Sequence, residues 1–171
     1  MLAPAQAQSD PEAPPAVDEV PVSLIEALSP ELGRFSVTNW VMQGPDQSAE
    51  FQFVVESSPA LDGQGVRTIW QVAETSAFFG EITRSLDPDS GELVQLWYAA
   101  TSGNWSQTRR TVDFLEAGYD ESFSGEDSFG PFQARVRTRH GPGGYRWTIE
   151  RRYEGTDWFV IDRGEAVRLE E

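Results

Sequence analysis

The chain has no cysteine, which removes disulfides, thiolate nucleophiles and cysteine-held metals from consideration. It has no lysine, and positive charge is scarce altogether: 13 arginines stand against 28 Asp and Glu, for a net charge of −15 and a pI near 4.3. Such a chain repels nucleic acid and anionic membrane, so neither is an expected partner. No apolar run approaches the ~18 residues of a membrane-spanning helix, and no membrane insertion is expected. The single histidine, His140, has no G-x-S-x-G elbow to serve, which excludes a Ser-His-Asp hydrolase of the α/β type. At the Gly-Pro-Gly-Gly turn it reads as an exposed residue. Gly141, Gly143 and Gly144 lack the following helix that a phosphate cradle needs. The acidic residues Asp113, Glu116, Asp120, Glu121, Glu126 and Asp127 lack the D-x-[DN]-x-[DN]-G order of a calcium loop and read as a solvated hairpin. Neither a metal nor a cofactor is called for.

What is present points to one β domain. The 171 residues, 39% of them hydrophobic, suffice for one core. Residues 1–20 are Pro-, Ala- and acid-rich and read as a disordered leader. Within it Ala5-Gln6-Ala7 has the small-x-small pattern of a signal-peptidase site, although no apolar h-region precedes it. A remnant of a signal peptide, and hence a periplasmic or secreted bacterial protein, is the expectation. Residues 21–171 form the expected domain.

Val20 to Leu32 is the one helical stretch, with Leu24, Ile25 and Leu28 as its apolar stripe. Ser23 and Glu26 have capping-box spacing and Pro30 is a stop. From Gly33 the period drops to two. Phe35, Val37, Asn39 and Val41 share a face, as do Phe51, Phe53 and Val55, and then Val66, Thr68, Trp70 and Val72. The central stretch is a hairpin around Asp87-Pro88-Asp89-Ser90-Gly91, whose turn chemistry is supplied by Asp, Pro and Gly. Phe78, Gly80, Ile82, Arg84 and Leu86 share one face of its first strand, and Leu93, Gln95, Trp97 and Ala99 one face of its second. Further strands begin at Trp105, Gly118, Phe132, Tyr145 and Trp158. Nine or ten strands joined by short turns leave two bare edges unless the sheet closes. The expected fold is all-β: an antiparallel up-and-down barrel of about 9–10 strands with a short N-terminal helix.

Leu32-Gly33-Arg34-Phe35, after a helix and opening a strand, resembles the Gly-x-Trp start of lipocalin and calycin barrels, with Phe for Trp. Thr83-Arg84-Ser85-Leu86-Asp87-Pro88, Leu96-Trp97-Tyr98, Trp147-Thr148-Ile149-Glu150 and Asp157-Trp158 are similar to the pattern of bacterial calycin-like proteins of unknown function. The resemblance covers roughly residues 30–169. It implies a barrel with an interior pocket and no particular reaction.

Mixed aromatic and polar residues on one strand face suit a barrel that holds a ligand. Trp70, Trp97, Tyr145 and Trp147 fall on inward faces. Arg84 sits among apolar neighbours, where a guanidinium must be paired or meet an anion, or else caps the barrel floor. Gln95 shares the Trp97 face, and a buried amide needs partners; Asn39 poses the same question. Of Arg109 and Arg110 one faces inward, and Arg109 is favoured because it shares the Trp105 face. The ligand-binding set is therefore Trp70, Arg84, Gln95, Trp97, Arg109, Tyr145 and Trp147, with no catalytic residue assigned. The function expected is binding of a small amphipathic molecule with an anionic group to meet Arg84. Self-association as a homodimer is compatible with the sequence. Two other readings stand beside it: an isomerase, cyclase or hydrolase on the same scaffold, with Glu150 or Glu81 as its titratable group, and a filled barrel used structurally.

Overall fold

Ser23 opens the part of the chain that the computed structural model describes, residues 23–44 and 46–170. The expected leader and cleavage site lie outside the described residues. Ser23 Oγ accepts from the Glu26 amide at 3.3 Å and Glu26 Oε2 from the Ser23 amide at 3.2 Å, so the capping box forms. Helix α1 is short, Leu24–Ala27, and Pro30 lies in a following 3-10 turn, Ser29–Glu31.

The strands are β1 (Gly33–Gly44), β2 (Gln47–Ala60), β3 (Gly65–Val72), β4 (Phe78–Leu86) and β5 (Leu93–Ala99). Then come β6 (Asn104–Leu115), β7 (Gly118–Asp127), β8 (Gly130–Gly141), β9 (Gly144–Tyr153) and β10 (Phe159–Arg168). Every strand pairs antiparallel with its sequence neighbours, and β10 returns to β1 from Phe35↔Arg168 to Val41↔Asp162, closing a ten-stranded barrel. Closure leaves no edge at the ends of the meander. The Asp87 turn forms as its residues require. Asp87 Oδ1 accepts from the amides of Asp89 at 3.0 Å and Ser90 at 3.1 Å, and Gly91 takes a φ of 71°.

The interior is filled at one end only. At the floor Leu24 of α1 and Leu28, which caps it, pack with Val66, Leu93 and Tyr119. Above them Phe35, Val37, Phe53, Val55, Tyr145 and Ala166 form a second buried cluster. The alternation read from β1, β2, β3 and β5 is the observed one: Phe35, Val37, Val55 and Val66 are fully buried and Leu93 nearly so.

Of three register shifts, one lies by the β1–β2 turn, between Met42 and Gly44, and two reset the alternation in β4 and β10. In β4 the register slips between Trp70↔Gly80 and Gln71↔Phe78. The slip turns Phe79 inward and leaves Phe78 outside, stacked on Tyr98 at 6.0 Å, so Phe78 does not share the face of Gly80, Ile82 and Arg84. In β10 the register slips between Val160↔Glu150 and Asp162↔Ile149.

The β6–β7 seam differs from the rest. Residues Asn104–Arg110 of β6 pair with β5, whereas only Thr111–Leu115 pair with β7. Toward the open end the two strands part, and Phe123–Asp127 of β7 is paired on the β8 side alone.

Candidate functional site

Opposite the floor the barrel encloses a cavity of about 580 Å³ that opens between the strand-connecting turns. A connected series of rings forms its wall. Trp97 lies 6.1 Å from Phe79, Phe79 4.8 Å from Phe53, Phe53 5.4 Å from Trp70, and Trp70 6.1 Å from Trp147. Two glycines make room for this wall. A Cβ on Gly80 would overlap the Trp97 ring, and one on Gly164 would overlap Trp147. Each indole therefore lies across the backbone of a neighbouring strand instead of filling the centre.

The deep end is polar. Arg84 is 8% exposed; its Nη2 donates to Glu31 Oε2 at 2.8 Å and its Nη1 to the Tyr119 hydroxyl at 2.8 Å. Glu31 Oε1 meets His140 Nε2 at 3.1 Å. Burial pushes the Glu31 carboxyl up, but the charge of Arg84 and hydrogen bonds from His140, Arg84 and Tyr119 hold it below the ordinary value. Beside this group Arg110 Nη1 donates to Glu121 Oε2 at 2.5 Å, and the Arg110 guanidinium covers the Phe123 ring at 4.5 Å. Among the described residues two donors on cavity-lining side chains have no partner although both are buried: Arg84 Nε and Trp70 Nε1. A buried N–H without an acceptor is costly, and both atoms are sealed behind the lining with almost no accessible surface.

Nearer the mouth stands Asp162. The regular ladder through Ala166 and Gly164 places it opposite Ile149 and Val41, both of which line the cavity. Its Oδ1 accepts from Asn39 Nδ2 at 2.9 Å and from Trp147 Nε1 at 2.8 Å. Burial raises this carboxyl above its ordinary value, against the two hydrogen bonds that lower it.

Of the residues chosen from sequence, Trp70, Arg84, Gln95, Trp97, Tyr145 and Trp147 line the cavity. Arg109 does not. Its side chain is 49% exposed and bridges Asp87 at 2.8 Å and Glu92 at 3.2 Å on the outer surface. The inward residue of that pair is Arg110, because it lies opposite the inward Leu93, and directly opposed residues share a face. Trp105, which suggested the opposite, is 56% exposed and packs outside on Tyr98. Glu81 and Glu150 also lie outside the cavity. Arg67 binds Glu81 at 2.6 Å and Arg135 binds Glu150 at 2.7 Å, and these hydrogen bonds lower both carboxyls. His140 is not an exposed turn residue; its side chain is 10% exposed, against Glu31. Asn39, flagged for its place on an apolar face, has its partner in Asp162. Glu31, Glu121, Phe79 and Asp162 join the site without having been singled out for it.

Among the described residues no group of three or more His, Cys, Asp or Glu is placed to hold a metal ion, and no helix is long and apolar enough to cross a membrane. No protein-family model matches the chain, and no curated protein matches it.

Proposed function

We propose that this barrel binds a small amphipathic molecule, its apolar body on the aromatic wall and a hydrogen-bond acceptor at the deep end. The observation that carries this is an open cavity of about 580 Å³ with a connected wall of aromatic rings and polar side chains at its deep end. That volume falls within the ~300–1,000 Å³ of small-molecule sites, which likewise combine apolar walls with a few polar groups. Gln95 lines the same cavity and supplies an orienting amide. The anionic group expected from Arg84 loses its support, because Glu31 already balances that charge.

Kinship with the bacterial calycin-like barrels is part of the proposal. The closed antiparallel meander supports it, with ten strands here against the eight of a lipocalin. So is export to the periplasm or medium, supported by Ala5-Gln6-Ala7 alone.

The test is native mass spectrometry of mildly purified protein, followed by titration of stripped protein with N-phenyl-1-naphthylamine, a neutral polarity-sensitive dye. A retained small mass, or one-to-one dye binding abolished by filling the mouth with Ile149→Trp, is the expected result. Bare protein that also leaves the dye in water would overturn the reading and make the barrel a scaffold.

A further inference from the structure

The charged groups of the cavity do not balance. Its lining contains Glu31, Arg84, Arg110, Glu121 and Asp162. Arg84 pairs with Glu31 and Arg110 with Glu121. Among the described residues no Arg or His forms an ion pair with Asp162; its neighbour Arg163 lies over the Trp40 ring at 5.3 Å instead. One negative charge is left over, half-buried, in an otherwise aromatic chamber.

The local structure holds that charge in place. Asp162 faces inward in alternation with Gly164 and Ala166, and Gly164 makes room for the Trp147 ring. Asn39 and Trp147 both donate to Oδ1, which fixes the carboxyl plane. Oδ2 receives no hydrogen bond among the described residues. A fixed carboxylate with one free oxygen, at the edge of Trp147 in a chamber that Trp147 and Trp70 line, combines the two features that recognise an organic cation: a counter-ion and aromatic quadrupoles.

We infer that Asp162 is the counter-ion of a protonated amine, so that the amphipathic molecule is a primary or secondary ammonium. Its N–H bonds to Oδ2 and its apolar part lies on the ring wall. This rests on the binding reading above and adds the sign of the ligand's charge.

Three amphipaths on one tail test it: decylammonium, decanol and decanoate, each below its micelle concentration, displacing N-phenyl-1-naphthylamine from the wild type and from Asp162→Asn. The amine is expected to displace the dye at a concentration at least tenfold lower than decanol, with decanoate weakest. In Asp162→Asn that advantage, taken against decanol on the same protein, should fall to twofold or less. A chain of net charge −15 attracts any cation, but that attraction survives the substitution, so the difference between the two proteins is the readout. If decanol equals the amine in the wild type, or the amine keeps its advantage in Asp162→Asn, the ammonium assignment falls and the binding site stands. If decanoate is best, the anion reading returns. If neither dye nor amphipath binds, both readings fall together.

Discussion

Glu31 and Arg84, 53 positions apart in the chain, meet at 2.8 Å under the cavity and join the 3-10 turn after α1 to the middle of β4. Glu31 is 2% exposed and Arg84 8%. Removing one member of such a pair leaves the other charged and dry, which costs about 3–5 kcal/mol. Arg84→Met should therefore lower the unfolding free energy by about that much in urea titrations. The double variant Glu31→Leu/Arg84→Met should recover most of the loss, since an apolar pair of similar volume replaces an ionic one. A double variant no more stable than Arg84→Met would show that the loss is packing rather than a stranded charge.

Two of the cavity carboxyls, Glu31 and Asp162, respond to pH with opposite signs. Glu31 is held below its ordinary 4.5, so its stabilisation is complete above that value and disappears as acid protonates the folded form. Asp162 is raised above its ordinary 3.8, so the folded state binds its proton more readily than the unfolded chain. Stability through Asp162 falls as pH rises from 3.8 through the raised value. Thermal scans between pH 3 and 7 should show Glu31→Gln losing stability mainly at the neutral end. Asp162→Asn should gain there, with the gain fading toward acid. Parallel curves for the two variants would contradict both shifts.

Gly164→Ala should displace Trp147, because the new Cβ overlaps the indole. Overpacking of this kind costs about 1–3 kcal/mol. The near-ultraviolet circular dichroism of the tryptophans should change with it, since Trp147 then leaves Asp162. Gly143→Ala is the comparison: nothing lies within 4 Å of its Cβ position, and the melting temperature should stay put.

The adjacent arginines 109 and 110 should behave unlike each other. Arg109→Ala removes a solvated bridge to Asp87, whose carboxyl the Arg109 hydrogen bond and the amides of Ser90 and Asp89 lower to about 2. The melting temperature should not move. Arg110→Ala leaves Glu121, 4% exposed, without its counter-charge, and should cost about 3 kcal/mol. Equal melting temperatures for the two variants would mean that the inward–outward assignment of β6 is wrong.

Much of the barrel was legible because period-two alternation holds wherever strands run without interruption. Phe35 to Val41 and Val66 to Val72 needed nothing else, and the Asp87 turn announces itself through side chains that bond their own backbone. Bulges were not legible. One extra residue at Phe79 or Ile161 swaps faces for everything beyond it, and no residue type marks either position. Asp162 lies in plain alternation with Gly164 and Ala166, and Asn39, polar on an apolar face, was a clue to a buried partner. The β6 error has another cause: Trp105 is an outer-surface aromatic, so hydrophobicity pointed the wrong way. The link from Glu31 to Arg84 and His140 joins three distant segments, and alternation carries no information about such contacts.

Where β6 and β7 part, the cylinder is a clasp rather than a welded hoop. Elsewhere a ladder of backbone bonds resists widening, so the load is shared among many small links. From Asn104 to Arg110 no such ladder reaches β7, and the fastening is one side chain: Arg110, gripping Glu121 and lying on Phe123. Between those segments the wall of the chamber thus rests on side-chain contacts where the rest of the cylinder has backbone pairing.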